Sequence, residues 1–421
     1  MQRARVAILV VLSVLSVVYA ARASAQATSA DQTIRLSQRQ LYRQPRNAAA
    51  YFRLGDAYIQ KARQTGDLSY VTLAEHALRQ SLELAPRNAG ATRHLAYVFA
   101  SRHEFAEAAA LARSAIELDP SDGHAHGVLG DALLELGKYE EAARAFQTMR
   151  SLDESLYSLA RLSGLKSLRG DPQSAIADLR QAIDAGRASG QPRESIAWAQ
   201  WQLGAEHFGV GNLQGAETQY LEALTTSPDY YRALAGLAQV RAAQRRYEEA
   251  IDLYRKALAI IPFPEYAAGL GDIYARLGRA KEATQQYTLV DYIGRLNAVN
   301  RVVYNRELAT FYADHDMKLD EALALARSEL EVRKDIYGYD IVAWALYKSG
   351  KPGEALSPMT EALRLGTRDA RLLFHAGMIH RSLGHNERAR ELLSRALSIN
   401  PHFHLLQAAV AERALKELDG P

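Results

Sequence analysis

Residues 199–228 read AQWQLGAEHFGVGNLQGAETQYLEALTTSP, and residues 233–262 read ALAGLAQVRAAQRRYEEAIDLYRKALAIIP. Laid one above the other, they align without a gap. Gly204 falls on Ala238, Ala216 on Ala250, Tyr220 on Tyr254, Ala223 on Ala257 and Pro228 on Pro262. A third stretch repeats the spacing with Gly377, Ala389, Leu393, Ala396 and Pro401. Self-similarity at a step of about 34 residues predicts an array of helix pairs, not a single closed core.

Each element of the pattern has a steric reason. Leu203-Gly204 sits in a first helix, and the missing side chain lets the second helix come close. Ala216 and Ala223 are small on the second helix for the same reason, and Tyr220 is expected to fill the space over the preceding pair. Pro228 stops the second helix. Gly137, Gly170, Gly211, Gly278, Gly350 and Gly384 occupy the turn inside their pairs, where a left-handed residue ends a helix. Acids such as Glu248 and Glu249 open the second helix and suit its dipole.

Working outward, ten pairs can be read. Their first helices carry Leu54-Gly55, Leu95-Ala96, Leu129-Gly130, Leu162-Ser163, Leu203-Gly204, Leu237-Ala238, Leu270-Gly271, Leu308-Ala309, Val342-Ala343 and Ala376-Gly377. Three places depart from the pattern: extra residues around Gln64 to Asp67, a longer connection from Asp291 to Arg301, and an irregular turn at Asp314-His315-Asp316. Asp31 to Tyr42 is expected to lead with a helix. His404 to Leu418 is expected to cap the open end, since a terminal unit would otherwise show an apolar face to water. If each unit touches only its neighbours, unfolding should be gradual and fray from the ends.

The first 25 residues read differently. Arg3 and Arg5 precede an apolar run from Val6 to Ala21, and Ala23-Ser24-Ala25 supplies a small-x-small cleavage pattern. This is the layout of a secretory signal peptide, with an uncleaved membrane anchor as the alternative. The expected organisation is a leader over 1–25, a leading segment over 26–47, the array over 48–403 and a capping helix over 404–421. The expected location is exported, periplasmic or extracellular, with no integral span after cleavage. The chain has 51 basic and 48 acidic residues, and the leader alone removes Arg3, Arg5 and Arg22. The remainder is balanced, which gives no reason to expect nucleic acid. The absence of cysteine excludes disulfides, a lipoprotein anchor and cysteine metal sites.

The Leu-Gly…Ala…Tyr…Ala…Pro pattern resembles the tetratricopeptide repeat family over about Ala48 to Phe403. The C-terminal third is similar to exported bacterial members through Asn305-Arg306-Glu307-Leu308-Ala309, Trp344-Ala345-Leu346-Tyr347-Lys348, His375-Ala376-Gly377-Met378 and Asn400-Pro401-His402-Phe403. The resemblance implies an all-α fold, a right-handed superhelical solenoid of about ten helix pairs with a C-terminal capping helix. It also implies a concave groove lined by first helices that holds a peptide or protein. Chaperone-binding members use paired Lys and Asn on successive first helices, which this sequence lacks.

The family's groove positions, projected onto pairs two, four, five, six, nine and ten, select Arg93, Tyr97, Tyr157, Arg232, Gln239, Asp340, Met378 and two aromatic patches. The first patch is Trp198, Trp201 and Phe208. The second is Tyr337, Trp344, Tyr347 and Phe374, flanked by Arg371 and Arg381 as carboxylate-binding candidates. Trp and Tyr bury large areas at modest entropic cost and dominate contact hot spots. The same rings could instead pack between repeats.

No catalytic residues, cofactor or metal are expected. His375, His380 and His385 are five apart, whereas a helical two-histidine site needs four. Gly137-Lys138 and Gly350-Lys351 are repeat turns, not phosphate loops. The function expected is therefore a non-catalytic interaction scaffold in the bacterial envelope, binding a peptide, a protein or a multi-protein envelope complex. The alternative is an accessory subunit of a polysaccharide synthesis, export or secretion complex.

Overall fold

A computed structural model describes residues 29–299 and 305–419. The expected leader lies outside the described residues. Twenty-two helices are present: α1 Ser29–Arg43, α2 Ala48–Thr65, α3 Ser69–Leu84, α4 Ala89–Ser101, α5 Phe105–Leu118, α6 Gly123–Glu135, α7 Tyr139–Leu152, α8 Leu156–Leu168, α9 Pro172–Ala188, α10 Arg193–Gly209 and α11 Leu213–Thr226. They continue as α12 Tyr231–Ala243, α13 Tyr247–Ile260, α14 Pro264–Arg276, α15 Ala280–Val299, α16 Asn305–Asp314, α17 Leu319–Val332, α18 Ile336–Lys348, α19 Pro352–Ala362, α20 Ala370–Ser382, α21 Asn386–Ile399 and α22 Gln407–Asp419. Within residues 1–98 α2 pairs with α3, and within residues 99–421 α6 to α21 form eight successive pairs; the fold is all-α and of tetratricopeptide type, a right-handed superhelical solenoid over residues 99–421. None of the described helices is long and apolar enough to cross a membrane.

The chain divides into two compact units, 1–98 and 99–421. In the first, α1 packs on α2, and Lys61 pairs with Asp31 at 3.0 Å. The extra residues near Gln64 mostly lengthen α2, which closes on the left-handed Gly66 at φ 70°. Leu54, Tyr58, Ile59, Val71 and Leu78 are buried here.

In the second unit the turn glycines take the expected left-handed form, with φ from 71° at Gly137 to 78° at Gly170. His103 and Arg245 hold the same conformation without being glycine, at φ 63° and 62°. That conformation costs an L-residue about 1 kcal/mol. Tyr220 corrects its expected placement. It lies between Gly204 of its own pair and Gly236 of the following one, and a Cβ on either glycine would come within 2.5 Å of its ring. The contact faces forward, not back, because α12 crosses directly over the ring.

The expectation that units touch only their neighbours does not hold. Arg333, just past α17, places its Nε 2.7 Å from Glu135 at the end of α6. The Ile336 amide donates to the Tyr139 hydroxyl at 2.8 Å. Arg364 donates to the Gly137 carbonyl at 3.2 Å, Thr367 to the Leu168 carbonyl, and Asn400 to the Phe208 carbonyl at 2.8 Å. Ile336 and Leu372 share one apolar cluster with Leu133, Tyr139, Phe146 and Leu165. The solenoid is wound tightly enough that pairs three to five touch pairs eight to ten.

Two substitutions separate the two kinds of packing. Gly204→Leu, which wedges one pair, should lower stability by about 1–3 kcal/mol, read as a drop in denaturation midpoint at retained helicity. Arg333→Ala leaves Glu329, which is fully buried, without its cation. It should cost about 3 kcal/mol. Hydrogen exchange should then accelerate in α6–α7 and α17–α18 together. Acceleration confined to α17 and its sequence neighbours would mean that the inter-turn contacts carry no coupling.

Candidate functional site

The first helices of the second unit turn their N-terminal and central residues toward a common concavity. Inside it lies a cavity of about 520 Å³, bounded by residues of α10, α12, α13, α14, α16, α20, α22 and the segment 401–405. Small side chains, Ala242, Ala243, Ala268 and Gly269, make the room. Charged groups of both signs point into it, among them Glu265, Asp272, Arg306, Glu307, Asp314 and Arg371.

Asp314 ends α16 and is the hub of this wall. Its carboxylate accepts from Trp344 Nε1 at 2.8 Å and from Gln407 Nε2 at 2.6 Å, and it pairs with Arg371. Burial alone would push its carboxyl up. Arg371 and the nearby His404, His375 and His315 outweigh burial and hold it below the usual carboxylate range.

His315 lies one residue on, and Tyr287 donates to the same Asp272 oxygen at 2.9 Å. The His315 Nδ1 lies 2.7 Å from the Phe311 carbonyl and its Nε2 2.7 Å from Asp272. Both ring nitrogens face acceptors, an arrangement that favours the protonated ring. Burial opposes that charge, but the hydrogen bond and attraction of Asp272 raise its pKa above 6.5.

Glu265 is exposed to water in the first turn of α14, where it faces the concavity. The surrounding protein, followed by the like charge of Glu307, pushes its carboxyl up to about 7.

The two aromatic patches fare differently. Trp198, Trp201 and Phe208 are half-buried against the cluster around Tyr220. The Arg232 guanidinium stacks 5.1 Å over the Trp201 ring, and Phe208 reaches the cavity wall.

The second patch is not an open surface. Trp344 and Phe374 are buried, at 3% and 1% exposure. Trp344 stacks on His375 at 4.1 Å and on the half-buried Tyr347 at 5.0 Å. Tyr337 packs between turns of the superhelix, where burial and then Asp369 and Asp335 raise its hydroxyl well above its ordinary value. Arg371 and Arg381 already hold carboxylates, those of Asp314 and Glu417. The aromatic spacing was legible, but these rings serve packing because the superhelix closes around them.

Of the residues projected onto the groove, Phe208, Gln239 and Arg371 do line the cavity. Pairs seven and eight were left out of that projection. The same motif positions there are Glu265, Asp272 and Arg306, which add charge of both signs to the wall. The irregular Asp314-His315-Asp316 turn was a visible signal as well: its first two residues face inward and organise the wall.

With this geometry in place, comparison with known proteins is informative. The family described as tetratricopeptide repeat matches residues 67–123, 101–156, 201–263 and 343–402, together just over half of the chain. The chain belongs to the tetratricopeptide repeat family. It is 25% identical over 202 residues to human protein O-mannosyl-transferase TMTC3, covering 45% of this chain and 22% of that protein. It is 25% identical over 247 residues to Xenopus laevis tetratricopeptide repeat protein 37, covering 57% of this chain and 15% of that protein. The chain thus spans less than a quarter of these relatives. Among solved structures, the human IFIT1 dimer with PPP-AAAA superposes with a TM-score of 0.51 at 15% identity, over 76% of this chain and 73% of that one. That likeness concerns the fold. Tetratricopeptide repeats build protein–protein interaction scaffolds, and this chain is one.

The protonated His315 gives a pH prediction. A base whose folded pKa is raised adds stability that is full below its unfolded pKa and is lost as pH rises through the folded one. Glu265 loses stability between about 4.5 and 7. Comparison with a His315 variant therefore isolates the contribution of the imidazole. Melting temperatures should fall from pH 7 to 9 in the wild type and stay flatter in His315→Gln. Parallel slopes in the two proteins would show that the ring is neutral.

Proposed function

We propose that the concave cavity of the second unit receives an extended peptide segment of a protein partner. The observation that carries this reading is a set of unpaired polar atoms on residues that line a cavity of about 520 Å³. Arg306 Nε, Glu307 Oε2 and Arg371 Nε line or abut the cavity, and each is buried with no hydrogen-bond partner among the described residues. A buried donor or acceptor left unpaired costs about 1–3 kcal/mol, so such atoms favour a ligand that satisfies them. An extended backbone presents alternating donors and acceptors and needs only the room that Ala242, Ala243, Ala268 and Gly269 leave.

The setting belongs to the same proposal. The leader-like first 25 residues support export, which would place the scaffold in the periplasm or outside the cell, where it would help hold an envelope complex together. The concavity is read as a binding surface and not a catalytic one. Asp272, Asp314, Arg306 and Arg371 are each engaged with a partner from another element and hold helices in place.

A photo-reactive residue at Thr310, in the cavity wall, tests the reading in the full chain exposed to envelope extract. Capture of a defined protein is expected, falling at least ten-fold when Ala268→Trp fills the space at unchanged helicity. Tyr292, 59% exposed on α15, serves as the outer-face control. Capture from Tyr292 but not from Thr310, or capture indifferent to Ala268→Trp, would remove the cavity from the interaction. A captured component of a polysaccharide or secretion machine would favour the accessory-subunit reading of the same scaffold.

A further inference from the structure

A capping helix needs only to cover the last pair. The helix α22 does this: Ala411 and Ala414 are buried, Leu415 and Leu418 pack on the terminal cluster, and Arg390 pairs with Asp419 at 2.8 Å. The connection that leads into it, together with its first residue Gln407, does something a cap does not require. Residues 400–407 cross the concave face and make contacts on both sides of it.

Asn400 donates to the Phe208 carbonyl at 2.8 Å, on α10. The Phe403 ring rests on Phe374 at 5.4 Å, on α20. Leu405 packs on the cluster of Tyr231, Leu234 and Tyr266, between α12 and α14. Gln407 Nε2 reaches Asp314 at 2.6 Å. His404 Nδ1 accepts the Leu406 and Gln407 amides at 3.2 and 3.3 Å, which caps the first turn of α22, and its Nε2 faces Asp272 at 3.7 Å.

The side chains of this segment make the contact set of a bound peptide, on a backbone that runs through turns. Two apolar side chains enter different clusters, and polar groups are met by carboxylates of the wall. The cavity that remains is bounded by the same segment, through Pro401, His402, Phe403 and Leu405. The hold is also limited. Phe403 and Leu405 are only half-buried, and Pro401 and His402 are exposed.

We propose that residues 400–407 are an internal ligand of the concave face, and that a partner binds by displacing them with a segment carrying an aromatic residue and, two positions on, a leucine-like one. The proposal rests on the peptide-binding reading above and adds the chemistry of the peptide and the contact it must replace.

The test uses the full chain and a fluorescent synthetic peptide of residues 399–408 as probe. In the double variant Leu405→Asp/Gln407→Ala, hydrogen exchange over 400–419 should accelerate and the probe should bind at least ten-fold more tightly than to the wild type. A probe with alanine at the Phe403 and Leu405 positions should lose that gain. Gln407→Ala alone keeps every apolar contact, and it decides the matter with an intermediate gain should the double variant misfold. A released segment with no gain in probe binding overturns the proposal.

Capture through Thr310 separates it from the broader reading. Equal capture of a partner by wild type and released variant overturns the internal ligand and leaves the groove standing. Probe binding by the released variant with no partner captured supports the internal ligand and removes the groove as a partner site.

Discussion

The structure of the second unit depends on how closely one turn of the superhelix can approach the next, and glycine sets that distance. The turn of pair three meets the connection after pair eight, that of pair four the connection after pair nine, and that of pair five the connection after pair ten. At each meeting a left-handed glycine faces a backbone carbonyl. A Cβ on Gly170 would lie 2.6 Å from the Gly366 oxygen, and one on Gly211 3.0 Å from the Ile399 oxygen. The residue that ends a helix locally therefore also permits contact about two hundred residues away in sequence. With larger residues the turns would stand apart, and the buried polar bonds between them would have no partners.

Closure of this kind changes what the concave face can contain. In an open solenoid, inward charges meet water. Here Asp272, Asp335 and Asp340 are buried and the Asp314 carboxylate is nearly covered, and each is paired with a cation or a histidine from a different element. A buried charge is tolerated only when a partner is held in place. The Arg306–Asp335 pair and the Asp340–His375 contact, at 3.1 and 2.9 Å, therefore tie neighbouring first helices together. Apolar packing within pairs sets the curvature, glycine turns allow the turns to touch, and the charges fix the angular position of each first helix. The unused atoms of Arg306, Glu307 and Arg371 are what this arrangement leaves over.

The repeats were legible because their signal is local. Gly204, Ala216 and Tyr220 recur for reasons that act within a pair and its neighbour, and the leading helix was expected within two residues of its observed ends. Contacts between turns were not legible. Nothing near Gly137 or Tyr139 in the sequence indicates that Lys334 or Ile336 will lie against them. The same blindness affected the aromatic patches. A projection of Trp344 and Phe374 onto the concave side is right about direction, but whether that side is open depends on superhelical pitch, which no single motif encodes. Glu265, Asp272 and Arg306 were recoverable from the motif register, since they occupy positions already selected in other pairs.

Pitch also explains why the C-terminal segment can have two roles. In a long open superhelix, a chain leaving the last pair has nothing opposite to meet. Here the first helices of pairs five, six and seven stand across the concavity, so residues 400–407 find Phe208, Tyr231 and Asp272 within reach while α22 still covers the last pair. The geometry that buries Trp344 thus also brings a peptide-like segment into the groove. A solenoid wound this tightly makes its interior selective through the order of its own contacts: what enters must first do better than the segment already there.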